Sequence, residues 1–462
     1  MKPLKHHSEE ELAPAYASRS FVRPIPKYAI PEDGLPADVA LQLVRDEMNL
    51  DGNPVMNLAS FVTTWMEPQA ERLLADTANK NLIDQDEYPQ TDEIHQRVIS
   101  MLARLFHAPK DARPMGTATV GSSEAIMLGL LAHKWAWRKR RIAEGKHVDR
   151  PNVVFGADVH TCWEKFALYF DVEARIVPLE PDCHILTAEK VAAHIDENTT
   201  AVGCILGTTF TGQIDEIGEI NTLLKKIKRQ NGWDIPIHVD GASGGFVAPF
   251  AYPDLAWDFR LDHVRSINAS NHKFGLIYPG MGSVVFRDEH VVPSELIYKI
   301  TYLGGEMFNY SLNFSKPSSQ ILLQYYNFLR LGRTGYRQVI ENIMSNARYL
   351  EKKLLDTGRF ELLNQSKYLP VVVVKLKDRD ASPKTLYHLS DALRQRGWIV
   401  PAYPLPANAQ ETHVLRAVVK ENFSRDLAEK FAQDVIAGLK QIDAIPETAP
   451  KTVPIQKRQH VC

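Results

Sequence analysis

Between residues 152 and 287 the chain alternates in a way that few folds can accommodate. Short β-rich runs at Asn152–Phe155, Glu173–Pro178, Ala201–Leu206, Ile235–Val239, Val264–Ile267 and Gly282–Phe286 are separated by segments of helical periodicity, notably Ala188–His194 and Glu219–Gln230. Strands that take turns with helices pair mainly in parallel, with helices packed over the faces of the sheet. The expectation is a mainly parallel, three-layer α/β domain. Sheets of this kind bind ligands beyond the carboxyl ends of their strands. There the sequence places an acid, Asp240, closing Ile235-Pro236-Ile237-His238-Val239-Asp240, and a lysine, Lys273, within Ser270-Asn271-His272-Lys273-Phe274-Gly275.

A lysine and an acid so placed suit pyridoxal phosphate (PLP). The amine condenses with the cofactor's aldehyde and the carboxylate pairs with its pyridinium nitrogen. The run Gly116-Thr117-Ala118-Thr119-Val120-Gly121-Ser122-Ser123-Glu124-Ala125 leads into a helix reaching about Ala143. Glycine and serine at a helix start leave backbone N–H groups and hydroxyls to hold a phosphate. The same residues fit ordinary N-capping by Ser122 or Ser123, and taken alone that reading is favoured. The basic run Arg138-Lys139-Arg140-Arg141 reads as a solvated helix C-terminus complementing the dipole. No GxxxxGK[ST] or HExxH motif occurs, and no GxGxxG follows a strand. Ser243 in Gly241-Ala242-Ser243-Gly244-Gly245 invites comparison with a nucleophile elbow. The acid just ahead of it and the apolar Phe246-Val247-Ala248 behind it favour a glycine-supported close approach of backbones instead.

The 462 residues suffice for two or three domains. Four prolines between Pro24 and Pro36 mark an extended arm before a helix near Ala37–Met48. After Lys316-Pro317, helical stretches at Ser319–Leu331 and Gly335–Thr357 lead to a smaller unit. It comprises Val371–Leu376, the helix Leu386–Arg396, the run Trp398–Val400, Val414–Val419 and the helix Leu427–Gln441. The expected organisation is an N-terminal arm and helix (1–57), a large cofactor-binding α/β domain (58–340), a small C-terminal α+β domain (341–445) and a polar tail (446–462). A net charge of −2 gives no field to gather nucleic acid or acidic membrane. Four scattered cysteines show no metal-ligand spacing and suit a reducing compartment. The polar N-terminus is not a secretory signal, and no run is apolar enough to span a membrane. The expectation is a cytoplasmic protein that uses no metal.

His238-Val239-Asp240-Gly241-Ala242-Ser243-Gly244-Gly245-Phe246 and Ser270-Asn271-His272-Lys273-Phe274-Gly275 together resemble the PLP-dependent group II decarboxylases, and within them the glutamate decarboxylases of bacteria, plants and fungi. The pattern continues in Asn57-Leu58-Ala59-Ser60-Phe61, Asn79-Lys80-Asn81-Leu82-Ile83-Asp84, Glu87-Tyr88-Pro89, Gly121-Ser122-Ser123-Glu124-Ala125, Tyr302-Leu303-Gly304-Gly305 and Leu312-Asn313-Phe314-Ser315, spanning roughly residues 20–440. The resemblance implies the aminotransferase-like fold (fold type I) and α-decarboxylation of L-glutamate to 4-aminobutanoate and carbon dioxide. It implies that Lys273 carries the cofactor and Asp240 holds its ring nitrogen protonated. Ala242 and His160 would cover the two ring faces. Ser122, Ser123, Ser270 and His272 would hold the phosphate, with Ser315 arriving from a neighbouring subunit, and Thr209 would meet the cofactor oxygen or the scissile carboxylate. For His160 and Thr209 a purely structural role stays open. Substrate would meet Ser60, Phe61 and Arg416, with Asn81 and Asp84 supplied by the partner. Tyr302 would be the proton donor or a lid residue, and His272 would join Lys273 and Asp240 in the catalytic group. Because two carboxylates in contact cannot both stay ionised, Asp84 against the substrate's distal carboxylate implies binding that favours mildly acidic pH.

Shared sites require at least a homodimer, and the N-terminal arm could extend that to a hexamer. The tail lacks the tryptophan-bearing basic helix by which plant relatives bind calmodulin, so that partner is not expected. His460 resembles, weakly, a histidine that blocks the site of bacterial relatives at neutral pH. Three departures stand out. Asn271 replaces a usual glycine, Gly241 a usual alanine and Ser283 a usual tryptophan. Asn271 would either clash with the cofactor phosphate or hydrogen-bond beside it. The runner-up readings are decarboxylation of another amino acid, aspartate or an aromatic one, and a catalytically weak PLP-binding homologue.

Overall fold

The computed structural model describes residues 25–301, 306–364, 368–377 and 383–444. It divides after Met56 into two units. The first contributes one helix, α1 (Ala37–Met48), at the expected place.

In the second unit, α2 (Pro68–Thr77) and α3 (Pro89–Leu105) each begin on a proline, whose missing N–H costs nothing at a helix start. Next come β1 (Met115–Thr119), α4 (Ser122–Ala143), β2 (Asn152–Gly156), α5 (Cys162–Tyr169), β3 (Glu173–Val177), α6 (Ala188–Ala192), β4 (Thr199–Ile205), α7 (Ile217–Asn231), β5 (Ile237–Asp240), α8 (Ala248–Ala251), β6 (Val264–Ala269) and β7 (Gly282–Phe286). The sheet order is β1-β7-β6-β5-β4-β2-β3. Neighbours from β3 through β6 pair in parallel, while β7 runs against both β6 and β1. Strands β2, β4, β5 and β7 are buried at every residue, as expected of a sheet covered on both faces. Ile126 and Leu130 of α4 pack with Phe155, Trp163 and Phe166 into one of its cores.

Strand β1 is absent from the expected set, because its small residues read as loop. Its backbone lies so close to β7 that a Cβ on Gly116 would strike the carbonyl oxygen of Val284. Lys273 lies in the turn beyond β6, four residues past its last residue, Ala269.

A short hairpin, β8 (Tyr298–Ile300) with β9 (Met307–Asn309), precedes α9 (Ser319–Asp356). The two expected helical stretches are one element kinked at Gly332, whose φ of 58° only glycine adopts readily. Beyond that kink the helix continues past residue 340 to Asp356. A second sheet, β10 (Phe360–Leu362), β11 (Val371–Leu376), β13 (His413–Val418) and β12 (Ala402–Pro404) in that order, is antiparallel throughout. It is accompanied by α10 (Pro383–Arg394) and α11 (Arg425–Asp443). The run Trp398–Val400 is not a ladder strand. Trp398 is instead fixed by its indole N–H to Asp434 Oδ2 at 2.9 Å, and β12 forms beyond Pro401.

Candidate active site

Nine residues singled out in the sequence line one cleft with about 660 Å³ of empty space: Ser122, Ser123, His160, Thr209, Asp240, Ala242, Ser270, His272 and Lys273. The parallel topology explains the convergence. The carboxyl ends of β4, β5 and β6 open on the same side as the start of α4.

Lys273 Nζ donates to Ser243 Oγ at 3.2 Å and stands 5.0 Å from the centre of the Phe61 ring. Burial pulls its pKa below the ordinary lysine value, against the attraction of Asp240. The amine therefore gives up its proton more readily than that of an exposed lysine, as a nucleophilic lysine requires. Asp240 is buried at the end of β5. Its Oδ1 accepts from the Ala242 N–H at 3.0 Å and from Asn268 Nδ2 at 2.9 Å, and its Oδ2 accepts from Trp163 Nε1 at 3.3 Å.

At the other end of the cleft the N-cap of α4 is Gly121, and no side chain caps that end. Ser122 Oγ instead lies 2.6 Å from Ser270 Oγ. The capping alternative therefore does not describe these serines. Beside them, the buried Nδ1 of His272 has no hydrogen-bond partner among the described residues. Burial, seconded by the charge of Lys273, pushes the His272 pKa down to about 4. A helix N-terminus, two hydroxyls and an orphaned ring nitrogen form an anion cradle. With Lys273 and Asp240 on the far side, the residues fit pyridoxal phosphate. His160 is also held below its ordinary pKa, by burial. Its Nδ1 accepts the Cys162 N–H at 3.3 Å.

Arg416, on β13, reaches across from the smaller sheet. Its Nη atoms donate to the carbonyls of Thr209 and Ala59, each at 2.6 Å, and its guanidinium stacks over Phe61 and Tyr403. Its buried Nε has no partner among the described residues. Ser60 lies next to Phe61, its Oγ accepting the Val62 N–H.

Three residues expected from a partner subunit are not in this cleft. Asn81 Nδ2 donates to Ser315 Oγ at 3.3 Å, its Oδ1 accepts the Lys316 N–H, and Asp84 is in the adjoining turn. Tyr302 and His460 lie outside the described residues.

The departures have partners. Asn271 is fully buried and does not line the cleft. Its Nδ2 donates to Gln324 Oε1 at 2.9 Å and its Oδ1 accepts from Ser283 Oγ at 2.8 Å. Two of the three departures thus bond to each other. At Gly241, a Cβ would come within 2.7 Å of the Asn268 carbonyl oxygen.

Sequence reading missed Ser243 as the partner of Lys273, Trp163 and Asn268 as partners of Asp240, and Asp158. The Asp158 carboxyl lines the cleft with both oxygens buried, and burial raises its pKa to about 7. Nearby Asp215 is raised as well, by burial and by the charge of Asp158.

A lysine and an acid at the strand ends of a sheet with one reversed strand, facing an anion cradle, define a fold type I PLP-dependent enzyme. More narrowly, the chain belongs to the pyridoxal-dependent decarboxylase family, whose conserved domain matches residues 28–377. It is 48% identical over 441 residues to glutamate decarboxylase 5 of Arabidopsis thaliana, covering 95% of this chain and 89% of that one. It is 44% identical over 442 residues to glutamate decarboxylase beta of Listeria innocua, covering 95% of each. The solved glutamate decarboxylase of Lactobacillus brevis superposes with a TM-score of 0.89 at 42% identity, over 93% of this chain and 98% of that one. The cofactor is pyridoxal phosphate. Among the described residues no helix is long and apolar enough to cross a membrane.

Proposed function

We propose that this chain removes the α-carboxylate of L-glutamate as carbon dioxide, yielding 4-aminobutanoate and taking up one proton per turnover. The observation that carries this reading is the buried Arg416 guanidinium, with its unpartnered Nε, packed on Phe61 beside Lys273. It offers a cationic donor for a substrate carboxylate in a site already equipped for the cofactor. When bound, the cofactor supplies a sink for the electron pair that the departing carboxylate leaves behind. Lys273 Nζ, whose proton burial loosens, is positioned to exchange places with the substrate amine. Asp240, held by three donors, is placed to pair with a protonated ring nitrogen. Ser122, Ser123, Ser270, His272 and the start of α4 would hold the phosphate. Ala242 and His160 would cover the ring faces, and Thr209 would meet the cofactor oxygen or the scissile carboxylate. Arg416 orients one substrate carboxylate, while Ser60 and the backbone of Phe61 receive the distal one. Tyr302 is the proposed proton donor or lid residue.

The separate grouping of Asn81, Asp84 and Ser315 supports a dimer in which each subunit completes its partner's site. On α1, Leu41, Val44 and Met48 are exposed on one helical stripe, which supports further association through the N-terminal unit. The test is 4-aminobutanoate formation from pH 4 to 8, with aspartate and an aromatic amino acid alongside. Turnover of glutamate alone, strongest at mildly acidic pH, is expected. Turnover of another acid in preference would overturn the substrate assignment. The same pH profile in Asp84→Asn would remove Asp84 from the site.

A further inference from the structure

Strands β5 and β6 pair with Asp240 opposite Asn268 and His238 opposite Ser266. Alternation puts His238 on the same face of β5 as Asp240, and Ser266 on the same face of β6 as Asn268. Helix α4 crosses that face and brings down His133. The result is a continuous buried series. Asn268 Nδ2 lies 2.9 Å from Asp240 Oδ1, and His238 Nε2 lies 2.9 Å from Asn268 Oδ1. Ser266 Oγ lies 2.7 Å from His238 Nδ1, and His133 Nε2 lies 2.6 Å from Ser266 Oγ. All four of these supporting side chains are at most 2% exposed.

The donors in this series are fixed by its chemistry. A carboxylate only accepts, so Asn268 must turn its NH2 to Asp240 and its oxygen to His238. His238 must then carry its proton on Nε2, which leaves Nδ1 as an acceptor. Ser266 must donate to that nitrogen, and its oxygen then receives the Nε2–H of His133. Every hydrogen bond points the same way, towards the carboxylate. Burial opposes protonation of both histidines: His238 is pushed down to about 4, and His133 well below its ordinary value with help from His238 and Arg265. The packing is built around this arrangement. A Cβ at Gly129, one turn before His133, would meet the His238 ring at 2.5 Å.

The geometry points to a directional hydrogen-bond chain, His133–Ser266–His238–Asn268, that positions Asp240 and stabilises its negative charge from behind the cofactor. An amide in the series cannot hand a proton onward as an imidazole can, so the chain acts by polarisation and orientation rather than as a proton wire. Hydrogen bonds in series reinforce one another in a low-dielectric interior. His133, remote from the reacting atoms, is therefore a positioning residue acting through Asp240. This role rests on the assignment of Asp240 to the cofactor's ring nitrogen.

The test combines nitrogen-15 NMR of histidine-labelled apoprotein with kinetics of the holoenzyme. Wild type is expected to show both His133 and His238 as neutral Nε2–H tautomers from pH 6 to 8. His133→Leu, which removes the outermost donor, should let His238 exchange between tautomers. It should also lower kcat roughly two- to tenfold, the span one net hydrogen bond covers, with KM for glutamate unchanged. His133→Gln, which keeps an N–H donor, should restore both readouts. Ser266→Ala should reproduce the loss one link further in, and serves if a His133 variant does not fold. A His238 proton found on Nδ1, or a His133→Leu spectrum and kcat equal to wild type, would overturn the chain. Asp240→Asn separates the two assignments. If that variant keeps wild-type cofactor absorption and turnover, the role of Asp240 fails whatever the tautomers show.

Discussion

Replacing Asn271 by glycine tests whether this residue is an intrusion into the site or a structural member behind it. Asn271, Ser283 and Gln324 are each at most 1% exposed. Removing the Asn271 amide takes from the Ser283 hydroxyl and from Gln324 Oε1 the hydrogen bond each makes to it. A stranded buried group costs about 1–3 kcal/mol, so Asn271→Gly should destabilise by about 2–6 kcal/mol. Ser283→Ala strands only Asn271 Oδ1 and should cost about 1–3 kcal/mol. In the double variant neither the Ser283 hydroxyl nor Asn271 Oδ1 is present to be stranded. The combined loss should then fall short of the sum by the cost of two stranded groups, about 2 kcal/mol or more. Urea unfolding of the four apoproteins, followed by tryptophan fluorescence, completes the cycle. Additive losses, or an Asn271→Gly variant as stable as wild type, would refute the pairing and return Asn271 to the cofactor side.

Gly241→Ala should destabilise the protein by about 1–3 kcal/mol, the usual cost of overpacking. Because its Cβ presses on the Asn268 backbone, it should also speed cofactor release, measured as loss of the visible absorption on dilution. His272 supplies a pH dependence. Its folded pKa of about 4 lies below the ordinary 6.5, so the unfolded chain takes up the proton first as pH falls. The stability this histidine contributes is complete above pH 6.5 and is lost as pH drops towards 4, by about 2 kcal/mol at pH 5. Apoprotein carrying His272→Asn should lose that much less between pH 8 and pH 5 in urea titrations. Asp158 has the opposite sign. Its raised pKa makes the folded state the better proton binder, so its contribution is fullest at low pH and is lost as pH rises towards 7. Asp158→Asn should therefore gain stability relative to wild type as pH rises from 4 to 7.5, and a constant difference would show that Asp158 does not hold a proton.

The site was legible where its chemistry is carried by local runs. Asp240 closes a strand, Lys273 follows the next one, and Ser122 and Ser123 begin a helix. Parallel topology does the rest by bringing strand ends together. What escaped depends on register. Nothing in the sequence places Asn268 opposite Asp240 or Ser266 opposite His238, since those pairings exist only once β5 and β6 align. Asp158 sits in a run already noticed for His160, but its raised pKa reflects burial, which exists only once the chain has folded around it. Asn271 and Ser283 each looked anomalous alone. The antiparallel reversal at β7 makes them neighbours and so removes the anomaly. Strand β1 was hidden because composition cannot separate a glycine that bends the backbone from one that lets two backbones touch.

The central claim is that the α-carboxylate, and no other, leaves as carbon dioxide through a site centred on Lys273. Glutamate labelled with carbon-13 at C1 or at C5 tests it directly, with released carbon dioxide read by mass spectrometry. The account predicts label release from C1 alone, one 4-aminobutanoate per carbon dioxide, and no release by Lys273→Ala. Release from C5, or wild-type release by Lys273→Ala, would contradict it.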